Sequence, residues 1–218
     1  YARVTGVQTC ALPIWESGAQ MFRSTGDIQD NWQSIKSIAE SQIGREAYGG
    51  VYCHNDMDML VVGMHGCGDN AEVLGKVVGG CTDTEYKTHF ALWSIMNSPL
   101  MIGCDVRKMS EAAKGILTNK DVIAINQDIE CRGPYCIRQW NNPENVFSLI
   151  KPLSGGDYAV GMFNFSDKKN EMSLQFYDIG LPAASGRGLE LYDCYSHSVI
   201  GTFSERYAAQ IESHDCLM

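Results

Sequence analysis

The chain has 218 residues, 44% hydrophobic and 20% charged, a balance that supports a sizeable core and excludes a disordered polypeptide. A formal charge of -9 and a pI near 5.0 exclude the basic surface of a nucleic-acid binder. No run of about 18 apolar residues marks a helical membrane span, so the expected ligand is neutral or small, with no nucleic acid and no membrane as partner. Nine cysteines are scattered among apolar segments and settle neither compartment nor redox state. Cys131 and Cys136 could close a small disulfide loop or stay reduced, and zinc is disfavoured there because no second Cys or His pair stands at ligand spacing.

In chain order, residues 1–14 match neither a signal peptide nor a structural element and read as a translated sequencing-adapter remnant, foreign to the fold. Cys10 leaves the cysteine count with them. Met21 to Ile28 then places Arg23 and Asp27 four residues apart, at a strand-to-helix loop. Two readings stand: the two side chains pair, with Asp27 capping the next helix, or a guanidinium and a proton-transferring acid face a ligand. Trp32, Ile35, Ile38, Ala39 and Ile43 predict a helix over about 30–43, with Asp30 as its N-cap. Gly50 to Cys53 reads as a buried strand leading into the acidic loop His54 to Leu60, and Gly63 to Gly80 as an irregular excursion.

Thr82-x-x-Glu85 is a capping box, opening a helix whose apolar face is Tyr86, Phe90, Trp93 and Met96 until Pro99 stops it. Leu100 to Cys104 is a third short strand, ending in Asp105, which reads as a loop-capping or ion-paired residue. Ser110 caps a helical segment through Leu117, and Lys120 to Gln127 adds another. Strand alternating with helix implies a parallel sheet, with Asp27, Asp56, Asp58 and Asp105 all at one end of it.

After a loop at about 130–144 the period changes to two. Runs at Val146 to Ile150, Tyr158 to Phe165, Met172 to Phe176, Leu189 to Leu191, Val199 to Phe203 and Tyr207 to Ile211 predict an antiparallel β domain, with a last run beginning near His214.

Four segments in order carry a resemblance: Arg23-Ser24-Thr25-Gly26-Asp27-Ile28, Asn55-Asp56-Met57-Asp58-Met59-Leu60, Glu85 to Trp93, and Asn119 to Asp128. Together they resemble the later half of a glycoside hydrolase family 27 α-galactosidase, from about Trp15 onward. The resemblance implies a partial (β/α)8 TIM barrel, about strands 6–8, over residues 15–130, then an antiparallel β-sandwich domain over 135–218 that is cut at its C-terminus. It implies a retaining glycosidase releasing terminal α-linked galactose, with an α-galactoside sugar as partner and no metal or organic cofactor. Asp27 matches the family's acid/base, Arg23 the arginine near the sugar 2-hydroxyl, and Asp58 and Met59 positions lining the sugar pocket. α-N-acetylgalactosaminidase and β-L-arabinopyranosidase are alternatives within the family.

Phe22 stands where the family usually has Trp, and His54 and Met57 stand where it usually has Trp and Pro. The stretch from Met64 to Thr82 is longer than usual, and the family's Lys-x-Asp nucleophile context is absent from the 218 residues. Two readings from other classes are a metal-dependent hydrolase using His54, Asp56 and Asp58, and a non-catalytic carbohydrate-binding β module using Tyr158, Phe163, Phe165, Tyr192 and Tyr195.

Overall fold

The computed structural model describes residues 18–67, the backbone of 72–73 and 76–77, and residues 79–218. The expected foreign segment 1–14 lies outside the described residues. So does part of the long stretch before Thr82.

Strand β1 (Met21–Arg23) runs parallel to β2 (His54–Asp56), with Met21 opposite His54 and Arg23 opposite Asp56. The strand expected at 50–53 is therefore displaced. Gly50 and Cys53 exchange both backbone hydrogen bonds, at 2.9 and 3.2 Å, and close a tight turn whose exit residue starts the strand. The third expected strand, at 100–104, shrinks to one parallel bridge between Leu60 and Ile102. The Leu60 amide donates to Met101 O at 2.7 Å and the Gly103 amide to Leu60 O at 2.9 Å. Parallel strands gain length from covered neighbours, whereas Met101 and Ile102 are exposed here.

Helix α1 (Trp32–Gln42) buries Ile35, Ile38 and Ala39. Its N-cap is Asn31, not Asp30: the Asn31 side chain accepts from the Ser34 amide at 2.9 Å. Asp30 turns inward instead, because a buried carboxylate needs donors and finds two, the Tyr86 hydroxyl and the Gly66 amide, each at 2.7 Å. Within the stretch expected to be irregular, β3 (Glu72–Val73) and β4 (Lys76–Val77) pair as an antiparallel ladder.

Helix α2 (Asp83–Ile95) has the expected capping box, with both reciprocal bonds between Thr82 and Glu85. It is buried on nearly every side, including Tyr86, His89, Phe90 and Trp93, as befits a helix enclosed by other elements. Helix α3 (Glu111–Leu117) is capped by Ser110 as expected, and α4 (Lys120–Asn126) by Asn119.

Eight strands follow. β5 (Tyr135–Arg138), which falls within the expected loop, pairs with β6 (Val146–Pro152). β6 pairs with β7 (Tyr158–Asn164), and β7 with β12 (Cys216–Leu217), making one four-stranded antiparallel sheet. β8 (Asn170–Gln175) pairs with β11 (Arg206–Ile211), and β9 (Leu189–Asp193) with β10 (Ser198–Phe203). Phe176, expected at a strand end, opens a short 3-10 turn instead.

Period-two alternation divides β6 and β7 between two cores. Val146, Ile150 and Met162 face side chains of β8 to β11, such as Met172, Leu174 and Ile211. Phe147, Leu149 and Phe163 face the other way, into a cluster with Phe90, Trp93, Val122 and Ile125 from the helices. The largest core is thus shared between the α/β part and the β part. Gly161 is needed there, since a Cβ on it would lie 2.5 Å from the Phe163 ring.

A buried lysine crosses the same seam. Lys151 of β6 donates to Asn97 Oδ1 and Ile125 O, and burial pushes its ammonium down to about 8, against an opposing pull from Asp128. Asp128 in turn accepts from the Ser154 amide and hydroxyl at 2.8 and 2.6 Å.

Candidate active site

The C-terminal ends of β1 and β2 bring three of the four expected site residues into contact. Arg23 is the last residue of β1, and its Nη2 donates to Asp27 Oδ1 at 2.8 Å and to Asp58 Oδ2 at 2.5 Å. One guanidinium nitrogen therefore joins a carboxylate from the loop after β1 to one from the loop after β2. The pairing of Arg23 with Asp27 holds; the capping role does not, since Asn31 takes it. The Asp27 side chain is 90% exposed, while that of Asp58 is 10% exposed.

Asp58 is held from several directions. Its Oδ2 also accepts the Ile28 amide at 2.7 Å, and its Oδ1 the Met59 amide at 2.8 Å. Its own amide donates to Asp56 Oδ1 at 2.9 Å. The backbone of Asp58 is left-handed, with φ 82°, a conformation that costs an L-residue about 1 kcal/mol and that Asp tolerates better than most. On the buried side, the Trp93 indole N–H donates to Asp58 O at 2.7 Å.

Met59 follows, half exposed. Its sulfur sits beside Gly103, where an added Cβ would approach it to 2.5 Å. Below the charged pair, the Ser24 hydroxyl lies 2.8 Å from Gln42 Oε1 and 2.6 Å from Asn55 Oδ1, and Asn55 Nδ2 donates to Gln42 at 2.7 Å. This polar knot ties β1, α1 and β2 together. Sequence reasoning gave Ser24, Gln42 and Trp93 no role at the site; Ser24 and Trp93 lie inside quoted segments, Trp93 as a core residue, and none carries a charge that draws attention.

Asp105 stands apart. Its carboxylate accepts from Arg107 Nε and Nη2 at 2.8 and 2.9 Å and from the Arg107 amide at 3.1 Å. Those bonds hold its pKa below the usual carboxylate range. It is the loop-capping, ion-paired residue expected.

His54, Asp56 and Asp58 do not converge as a ligand set. His54 faces a cavity of about 30 Å³ lined also by Gln42, Met57, Asn97 and Pro134, while Asp58 is engaged by Arg23 and two amides. Among the described residues no group of three or more His, Cys, Asp or Glu is placed to hold a metal. The eight cysteines among them are all free. The aromatic residues considered for a sugar-binding stripe scatter: Phe163 and Phe165 are core, the Tyr195 hydroxyl donates to Lys87 O, and that of Tyr192 to Asp121.

Two of the departures from the family pattern, Phe22 and Met57, have different consequences. Phe22 is buried against Cys53 and Tyr48. Met57 is buried and its amide donates to Ser98 Oγ at 3.0 Å, a bond that proline cannot make.

Comparison with known proteins identifies the family. Residues 13–128 match the family model described as alpha galactosidase A, and residues 146–218 that of the alpha galactosidase C-terminal beta sandwich domain. The chain belongs to the glycoside hydrolase family 27 α-galactosidases, a family of glycosidases. It is 34% identical to the α-galactosidase of Cyamopsis tetragonoloba over 94% of this chain and 46% of that protein. A Bacteroides fragilis structure provisionally assigned as an α-galactosidase/melibiase superposes with TM-score 0.84 at 31% identity, covering 96% of this chain and 44% of that one. The β-L-arabinopyranosidase of Geobacillus stearothermophilus shares the fold, with TM-score 0.80 at 24% identity over 96% of this chain and 46% of that one. The chain spans about half the length of the curated relatives it matches.

Proposed function

We propose that this chain is the acid/base-bearing part of a retaining glycosidase that releases terminal α-linked galactose, and that it holds about strands 6–8 of a (β/α)8 barrel followed by the β-sandwich. The observation that carries the reading is the Arg23 guanidinium placed between Asp27 and Asp58 at the C-terminal end of β1, where barrel enzymes assemble their sites.

In this reading Asp27 protonates the departing glycosidic oxygen as a carboxylate elsewhere in the longer enzyme attacks the anomeric carbon. The C–O bond breaks and a glycosyl-enzyme ester forms. Asp27, now deprotonated, takes a proton from water, whose oxygen attacks the anomeric carbon and releases the sugar and the nucleophile. The two carboxyl groups stand about 5–5.5 Å apart in such enzymes. Arg23 and Asp58 hydrogen-bond sugar hydroxyls, and the Met59 thioether packs on the ring. The exposure of Asp27 on its loop suits a group that must meet both leaving group and water.

The 218-residue chain alone is expected to be inactive on a nitrophenyl α-galactoside; turnover by it refutes the assignment of the nucleophile to another segment. In a polypeptide extended by the upstream half of the barrel, Asp27→Asn should lower kcat by about 10²–10⁴-fold. A loss below tenfold removes Asp27 from the acid/base role. A nitrophenyl panel of α-galactoside, α-N-acetylgalactosaminide and β-L-arabinopyranoside separates the family's activities.

A further inference from the structure

Asp58 meets Arg23 with its backbone turned to φ 82°, in a loop whose residues 57–62 include no glycine. Besides the local bonds of Asp56 and Met59, the turn is held from α2. Trp93 is fully buried and spends its single N–H on Asp58 O at 2.7 Å. His89, one helical turn earlier and also fully buried, accepts the Val61 amide on Nε2 at 3.2 Å. The two rings meet edge to face, 4.0 Å between centroids. One helix face therefore grips the loop at both of its ends, Asp58 and Val61.

The grip has a directional consequence. With its carbonyl aimed at the indole, Asp58 turns its carboxylate to the other side, where Oδ1 closes on the Met59 amide and Oδ2 is left for Arg23 and the Ile28 amide. Acceptance from Val61 also fixes the His89 tautomer: Nε2 must carry the lone pair, so the ring is neutral with its proton on Nδ1.

We propose that Trp93 and His89 are positioning residues that hold Asp58 left-handed and so set Arg23 for the sugar; the second clause rests on the function proposed above. Neither side chain touches the site's open face, so both act through the backbone of the Asp58 loop.

The test compares lesions of similar size on the same helix. Trp93→Phe removes the N–H and keeps a ring against His89, while Phe90→Leu disturbs the same core without removing a hydrogen bond to the loop. His89→Leu removes the acceptor, and His89→Gln can restore one. In the 218-residue chain, backbone NMR should show the Asp58 Cα and Cβ shifts and the Ile28 amide shift displaced in W93F and H89L. They should stay near wild type in F90L and H89Q at a comparable loss of Tm. Unmoved Asp58 shifts in W93F, or equal movement in F90L, overturn the proposal; if W93F does not fold, H89L against H89Q decides it by the same readout.

In the extended enzyme, W93F should lower kcat/KM for a nitrophenyl α-galactoside at least tenfold, mainly through KM, with H89Q close to wild type. Displaced shifts with wild-type kcat/KM overturn the link from the grip to Arg23. Displaced shifts in a polypeptide that hydrolyses no α-galactoside leave the grip in place and refute the proposed function instead.

Discussion

The α/β part and the β part are built on opposite economies of hydrogen bonding. In the first, the parallel strands are three residues each and the next position is a single bridge, and the chain is held by side chains reaching across loops: Asp30, Trp93, His89, Ser98. In the second, strands of up to seven residues carry the hydrogen bonding, β6 with β7 and β8 with β11 in continuous register and β9 with β10 across a shift between Val199 and Gly201. Antiparallel neighbours joined by short turns complete each other locally, whereas parallel strands depend on neighbours distant in sequence. The two halves nevertheless share their largest core. Weak pairing on one side is thus stabilised by packing against the other, so neither half is expected to be independent of its partner.

That dependence can be broken most directly at Phe163, which is fully buried in the shared cluster and stacks on Phe147 at 5.6 Å. Phe163→Ala should cost about 3–5 kcal/mol. Urea unfolding should remain one transition by far-UV circular dichroism and by tryptophan fluorescence. A second transition, with the helical signal surviving the loss of sheet, would show that the halves fold separately.

A smaller effect is expected within the α/β part. Asp30→Ala leaves the Tyr86 hydroxyl and the Gly66 amide without their buried acceptor and should cost about 2–3 kcal/mol. Hydrogen exchange at Gly66 should accelerate, while exchange across β6 and β7 should follow only the global loss. Equal acceleration in both places would erase the distinction between side-chain-held loops and self-paired strands.

Smallest, and readable only as slopes against pH, are two buried bases, one in each half. Burial lowers His89 to about 3, so between the ordinary value near 6.5 and about 3 the unfolded chain binds a proton that the native one refuses. Stability should therefore fall as pH falls through that window. Lys151, lowered to about 8, acts above neutrality: from about 8 to about 10.4 the unfolded chain keeps a proton that the native one has released, and stability should rise. His89→Gln should flatten the acid slope and Lys151→Met the alkaline one, each without altering the other. A single slope shared by both variants would mean that the two bases titrate through one common opening.

The two halves also differed in how far they could be read from sequence. Period-two runs located six strands of the β part within a few residues, because alternation between two faces is written directly into sequences such as Val146 to Ile150. β5 is not legible in this way because Tyr135 to Arg138 sits behind the turn signal Gly133-Pro134 and reads as part of the loop. In the α/β part the helices were legible from their caps and apolar spacing, as at Thr82 and Ser110. The strand expected at 50–53 is displaced to 54–56 and the one expected at 100–104 shrinks to a bridge at Ile102, because a parallel strand of three residues has no period to display. Asp30 misled for a related reason: an acid at a helix start looks like a cap, and only the tertiary fold shows Tyr86 waiting for it.

At the candidate site, charge made Arg23, Asp27 and Asp58 conspicuous, and the fold joined them. The apparatus behind them was invisible, since Trp93 and His89 look like ordinary residues of a buried helical face until the carbonyl and amide they bind are known.

The hydrogen bond from the Met57 amide to Ser98 carries a further consequence for how this chain can change. A proline at position 57 would strip the Ser98 hydroxyl of its donor and leave a fully buried oxygen facing a ring. Positions 57 and 98 therefore form a matched set. An ancestor or engineered variant that adopts proline at one should accept an apolar residue at the other, and exchanging either alone should be harder than exchanging both.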